Sequence, residues 1–433
     1  MKKKEYSEDS LAIILLCSYL VVNSKSDEFK PFTTVQWAKL AKVIYNSPLK
    51  KPAGLFNLSK EQLKNLLLIS EEESERIISL LNKAGQLSFE LEKLSNKGIN
   101  IITRADDEYP KLLRERLKEK CPPVIYYCGD LEILENKFIG VVGSRDIDFE
   151  GIEFTKLISS KIVKEGYALV SGGDKGVDSI GQDEVLNQGG KVVSFVADGM
   201  ISKIMKKEIR EAIAKKNLLL MSSVMPNARF TVYSAMERNK YIYGLSEMTT
   251  VVAADYNKGG TWTGAIENLK YNWVPILVRD IGNVPKGNLE IIKRGGIALG
   301  ERFKLSFLKE YITNEPSEKR EYYQEDLLSL LANKPEDLKT ETRKKEKDIL
   351  EVKDDIKVEE EKKINKQSLE DDYDVYKLVK PLFYNILKNE ISIEELSKKL
   401  NVNKKQVGEW IKRGLEEEVI KKKNKPVRYM INR

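Results

Sequence analysis

The sequence predicts an α/β protein: a doubly wound, mostly parallel sheet between residue 137 and about residue 280, with a helical N-terminal domain before it and a C-terminal winged helix after it. Three observations predict this. Six short apolar runs (FIGVV, YALV, KVVSFV, LLLMSS, TTVVAA and VPILV) alternate with helical stretches, and runs apolar at every position are strands covered on both faces. Serine-led amphipathic segments precede them. Two helical patterns and a basic hairpin pattern follow them.

The longest apolar run, LAIILLCSYLVV at residues 11–22, is twelve residues long, too short for a bilayer core that needs about twenty. A signal peptide is the rival reading, because Lys2, Lys3 and Lys4 precede the run. Glu5, Glu8 and Asp9 in the flank, and the lack of a small-residue cleavage site after Val22, favour a buried first helix capped near Ser7. Ser59 and Ser70 then open two helices with acids in their first turns, a pairing that suits a helix-hairpin-helix or SAM-like module. The expected organisation is a helical domain at 1–95, a connector at 96–136, the α/β core at 137–315, a charged flexible linker at 316–372, and the winged helix at 373–433. In that last part, helices at 375–387, 393–400 and 404–415 precede a hairpin at 419–431.

The net charge of +7, from 74 Lys and Arg against 67 Asp and Glu, equals the excess of residues 374–433, which hold 15 basic and 8 acidic residues. Lys404, Lys405, Lys412, Arg413, Lys421, Lys422, Lys423, Lys425 and Arg428 form its basic face. Nucleic acid and a protein partner are both open for this module. The chain has no histidine, which excludes Ser-His-Asp triads, Cys-His dyads and imidazole acid-base catalysis. Cys17, Cys121 and Cys128 match no zinc spacing and read as reduced thiols of a cytosolic protein. No catalytic residue, metal or cofactor is assigned.

Three strand-to-helix junctions carry the chemistry. Gly143, Ser144 and Arg145 follow the first strand of the core. Ser171, Gly172, Gly173 and Lys175 follow the second, with Asp178 either capping an N–H or catching a sugar hydroxyl. Gly259, Gly260, Thr261 and Thr263 open a later helix. Parallel strands would gather these turns at one sheet edge, where backbone N–H groups and helix N-termini favour anions. The arginine fork suits phosphate oxygens. The dinucleotide fingerprint GxGxxG is absent, which argues against a nicotinamide or flavin enzyme. Between the turns, Arg229, Phe230, Arg238, Asn239, Lys240 and Tyr241 mix basic and aromatic groups, as unpaired nucleotides require. Met236, Ile242 and Leu245 are expected to pack against the sheet.

The ordered set GSR, SGGDKGVD, ERNKYIYGLS and VVAADYNKGGTWTGA resembles the DNA-processing protein A (DprA/Smf) family, whose extended Rossmann-like core belongs to the wider group of SLOG domains. Tyr109-Pro110 and PPVIYYCGD resemble the family's lead-in to that core. The resemblance implies a cytoplasmic protein that binds single-stranded DNA as a homodimer, is not an enzyme, and assists loading of the RecA recombinase during DNA uptake. It implies that Arg145 grips a phosphate, that Gly143, Ser144, Ser171, Gly172 and Gly173 form the cradle, and that Arg238, Asn239, Gly260 and Thr261 fall on family positions. A lysine after the third core strand also contributes in the family, and Lys203, Lys206 and Lys207 are the candidates. Gly181-Gln182 where the family has Ala-His, Met236-Glu237 where it has Phe-Pro, and Arg279-Asp280 where it has Pro-Gly mark a divergent member. A role in a mobile element or in defence against foreign DNA is therefore open. Two alternatives stand beside this reading: a SLOG-type nucleotide sensor, and a phosphoribohydrolase using Glu267.

Overall fold

A computed structural model describes residues 4–312, 387, 390–400, 404–417, 419–424 and 427–431. The expected linker, the first helix of the winged-helix pattern and Lys425 lie outside the described residues. The chain divides into two compact units, 1–337 and 338–433.

The first unit is built on a nine-stranded sheet. Its strands are β1 (Asn100–Thr103), β2 (Val124–Cys128), β3 (Phe138–Val142), β4 (Ala168–Ser171), β5 (Val192–Phe195), β6 (Leu218–Ser222), β7 (Met248–Val251), β8 (Ile276–Arg279) and β9 (Ile297–Leu299), in the spatial order β1-β2-β6-β5-β4-β3-β7-β8-β9. From β6 to β9 every pairing is parallel. β1 pairs antiparallel with β2, and β2 with β6. All six expected core strands form, and the 96–136 stretch, read from sequence as a connector, supplies two further strands to the same sheet. Starting at β3 the chain runs outward through β4, β5 and β6, then returns to β7 on the other side of β3. The order reverses there, and the C-terminal ends of β3 and β7 flank the switch point of a Rossmann-like sheet.

The apolar runs are continuous because alternate residues serve two cores. Ile139, Val141, Leu169 and Leu218 join one cluster with Phe154, Ile158 and Ile162 of α7 (Phe149–Lys164) and with Val177 and Val185 of α8 (Val177–Asn187). Phe138, Val142, Val170 and Phe195 join the other with Tyr241 and Leu245 of α11 (Val232–Leu245) and Trp262 and Ala265 of α12 (Gly259–Tyr271). The N-terminal helices extend the first of these cores. Ser7 caps α1 (Glu8–Cys17), whose Ala12 to Leu16 are fully buried, as the sequence predicts. Ser59 and Ser70 cap α3 (Lys60–Leu67) and α4 (Glu71–Leu81), accepting from the backbone N–H of Gln62 and Glu73. All three cysteines are free, and burial pushes their thiols up from the ordinary value. Among the described residues no helix is long and apolar enough to cross a membrane.

In the second unit α14 (Ile393–Leu400), α15 (Lys404–Glu416) and the hairpin β10 (Ile420–Asn424) with β11 (Val427–Ile431) follow the expected winged-helix order. Leu396, Val407, Trp410, Ile411, Ile420 and Tyr429 form its small core.

Candidate functional site

The three glycine turns meet at the C-terminal edge of the parallel strands, the first bonded to the second and to the segment after β7 that leads into the third. The backbone N–H of Ser144, just past β3, donates to the carbonyl of Ala253, just past β7, at 2.9 Å. Val177 N–H, opening α8, donates to the Ser144 carbonyl at 3.3 Å. Asn239 on α11 donates from Nδ2 to the Gly260 carbonyl at 2.9 Å and fixes the third turn. Gly176 makes the first two turns compatible: its φ is +82°, and a Cβ there would lie 2.4 Å from the Ser144 carbonyl oxygen. Only glycine allows that approach.

Between them lies a cleft of about 340 Å³. Gly143, Ser144 and Arg145 from the first turn, Asp174 and Lys175 from the second, and Gly259, Gly260 and Thr261 from the third line it, with Phe230, Met236, Arg238 and Asn239 from the α11 side. Gly259, Gly260 and Thr261 form the first turn of α12, whose N-cap residue, Lys258, makes no side-chain capping bond. The leading N–H groups of a thirteen-residue helix thus face the cleft without a capping side chain, an arrangement that favours an anion.

Arg145 reaches across the cleft mouth with its side chain 57% exposed. Its Nη2 donates to Asp174 Oδ2 at 3.1 Å, and its guanidinium carbon sits 4.7 Å from the centroid of the Phe230 ring. Lys175 is exposed and has no carboxylate within ion-pair distance among the described residues. Phe230 is 42% exposed and Met236 40%, and Val232 and Tyr233 beside them are exposed as well. Ile242 and Leu245 are buried as expected, but Met236 is not: its side of α11 faces the cleft instead of the sheet.

Arg238 is placed differently from Arg145. It is 5% exposed, donates to the Phe195 carbonyl at 3.0 Å and to Asp174 Oδ2 at 2.9 Å, and lies 3.5 Å from Asp178 Oδ2. It holds the floor together. Ser171 is fully buried with its hydroxyl donating to Val141, and Gly172 and Gly173 lie behind the cleft wall, where Gly172 leaves room for the Arg238 guanidinium. Asp178 lies at the floor of the cleft as a buried partner of Arg238, and its carboxylate also takes a bond from the backbone N–H of Asp174, the local capping that the sequence allowed. Desolvation pushes its carboxyl up to about 6, and Arg238 opposes that rise. Lys240 pairs with Glu237 at 2.6 Å and does not line the cleft. Thr263 bonds back to the Gly259 carbonyl one turn into α12. Of the three candidate lysines, Lys203 touches the second turn, with Nζ 3.3 Å from the Gly173 carbonyl, whereas Lys206 and Lys207 lie at the start of α10 (Lys207–Ala214), outside the cleft lining. Glu267 is also outside it and is held by Lys120 at 2.7 Å.

Residues 100–302, the span that contains this cleft, match the family of DNA recombination-mediator protein A. Over that span the chain is similar to the DprA/Smf family. Protein Smf of Synechocystis is 30% identical over 223 residues, which is 49% of this chain and 52% of the relative. The DNA processing protein DprA of Bacillus subtilis is 27% identical over 170 residues, 39% of this chain and 56% of that one. The chain thus spans about half the length of the curated relatives it matches. The crystal structure of DprA from Streptococcus pneumoniae superimposes with a TM-score of 0.51 at 19% identity, covering 65% of this chain and 98% of that one, and so shares the fold.

In the second unit most of the expected basic face is paired. Lys404 meets Glu394 at 3.2 Å, Lys412 meets Glu416 at 3.9 Å, Arg413 meets Glu417 at 3.3 Å, Lys423 meets Glu390 at 2.8 Å, and Arg428 meets Glu395 at 3.9 Å. Lys421 and Lys422 are exposed on the hairpin without such a partner among the described residues. The side chain of Lys405 is outside the described residues.

Asp174 is the acid that the sequence reasoning left without a role. Asp174 stands inside the second glycine motif, so it was visible, but only the fold reveals that two arginines from distant segments converge on it.

Proposed function

We propose that the cleft seats the phosphate backbone of single-stranded DNA, and that the chain acts as a DprA-type protein that protects single strands and assists RecA loading in DNA uptake or recombination. The observation that carries this reading is the convergence of three glycine turns, the uncapped start of α12 and the half-exposed Arg145 on one cleft. An internal phosphodiester accepts hydrogen bonds from the α12 amides and the Arg145 fork, while its base stacks on the exposed Phe230. A single strand suits this geometry because its bases are free to turn onto an aromatic face. On this reading the protein works in the cytoplasm as a homodimer, Lys175 and Lys203 support the strand beside the second turn, and Lys421 and Lys422 offer a secondary contact on the wing.

A gel shift comparing single-stranded with duplex DNA, on the wild-type chain and on Arg145→Ala, tests the reading. Preference for the single strand that collapses in the variant supports it, and equal binding of both DNA forms by both proteins overturns it. The second reading, a SLOG-type sensor, draws on the nucleotide-sized volume of the cleft and on the Tyr243 hydroxyl at its floor, which is buried without a protein partner. Saturable binding of a mononucleotide with no binding of oligonucleotides decides for the sensor. The phosphoribohydrolase reading has no support in the geometry, since Glu267 is directed at Lys120.

A further inference from the structure

The cleft already contains an anion of its own. Asp174 Oδ2 accepts from Arg145 Nη2 at 3.1 Å and from Arg238 Nη2 at 2.9 Å, so one carboxylate oxygen bridges the mobile arginine at the mouth and the buried arginine at the floor. Its side chain is only 17% exposed. Arg238 has a second carboxylate, Asp178, at 3.5 Å, whereas no other ion pair ties Arg145 among the described residues. The two arginines therefore differ in what they can release. Arg238 is enclosed and stays, while Arg145, more than half exposed, brings its whole fork to an incoming ligand by giving up Asp174.

We propose that Asp174 is a resident competitor in the phosphate seat: its carboxylate holds the Arg145 fork in the free protein, and nucleic-acid phosphate binds by displacing it. This rests on the single-strand reading given above. Each ligand phosphate that takes the seat has to offset the same lost ion pair. A polymer with further phosphates on Lys175 and Lys203 offsets it readily, whereas a lone phosphate or a mononucleotide has only the one seat. Asp174 is in this sense a specificity-determining residue that reserves the cleft for chains.

The test is fluorescence anisotropy with labelled oligothymidylate on the full chain, competed with thymidine monophosphate, for wild type, Asp174→Asn and Asp174→Ser. Both variants keep an oxygen acceptor for Arg238 and remove the charge. Each is expected to bind the oligonucleotide about three- to tenfold more tightly, with the monophosphate competing at correspondingly lower concentration. Asp255→Asn removes the same charge from the same cleft without touching Arg145 and is expected to give a smaller gain. In an Arg145→Ala background the Asp174 substitutions are expected to change nothing. Unchanged or weaker binding by both variants at wild-type melting temperature overturns the proposal, as does an equal gain from Asp255→Asn. If the wild type binds no single strand, the functional reading itself fails; if it binds and the neutral variants gain nothing, only the competitor role fails.

Discussion

Arg145→Ala separates a phosphate contact from a structural role, because the structure fixes what the side chain loses and what it leaves behind. In the free protein the guanidinium is 57% exposed and makes one ion pair, with Asp174, of the partly exposed kind worth about 0–1 kcal/mol. In the proposed complex with DNA the fork makes charge-assisted hydrogen bonds to phosphate, each worth about 1.5–3 kcal/mol. The difference is about 1–2 kcal/mol of binding, a loss of about five- to thirtyfold in affinity. Folding stability is expected to change by less than about 0.5 kcal/mol, since the residue is on the surface. One fewer phosphate neutralised also makes the dependence of log affinity on log salt shallower by about 0.7 for a single strand. Anisotropy titrations of labelled oligothymidylate over a range of salt concentrations read both quantities, and a melting curve checks the fold. An unchanged slope, or a loss of affinity matched by a fall in melting temperature, would refute the assignment.

Phe230→Ala is expected to weaken single-strand binding by about 1–3 kcal/mol with the salt slope intact, because stacking and not charge is removed; a changed slope in the same titration counts against the stacking role. Gly172→Ala places a Cβ 1.2 Å from Arg238 Nη1 and 2.3 Å from Asp178 Oδ2, so the buried arginine is displaced from its partners. Thermal denaturation should show a loss of about 3–5 kcal/mol, and a melting temperature close to wild type means that the floor is looser than described. Asp178 has a carboxyl raised to about 6 by burial, so the folded state holds its proton more tightly than the unfolded chain does. That contribution is fully present below about pH 4 and is lost as pH rises through about 6, a total of about 3 kcal/mol. Melting temperatures at pH 5 and pH 7.5 should therefore converge in Asp178→Asn relative to wild type, and an identical pH dependence in the two proteins contradicts the assignment.

The parallel core was legible because its signal is local: short runs such as Phe138 to Val142 and Leu218 to Met221 carry no polar side chain, as a strand buried on both faces requires. β1, β2 and β9 were less so, since β1 and β9 are the edge strands and β2 joins β1 to β6, where pairing depends on partners distant in sequence. The glycine turns announced themselves through composition, and the fold brings them together at one edge as the strand order requires. Side-chain direction was not legible. Arg145 and Arg238 look alike in the sequence, yet one ends at the cleft mouth and the other under Gly172, because α11 turns Arg238 inward toward Phe195. The same helix turns Met236 outward, and Lys240 toward Glu237. Position along a motif indicates which residues are near the cleft, and only the packing of α11 against β5 and the second turn decides which of them face it.

Hydrogen exchange on the full chain, with and without saturating oligothymidylate, addresses the central claim most directly. The account predicts slowed exchange at residues 143–146, 174–177 and 259–262 together, with the effect at all three in Arg145→Ala needing an oligonucleotide concentration about five- to thirtyfold higher. Protection confined to residues 404–428, or absent from the three turns while DNA is bound, contradicts it.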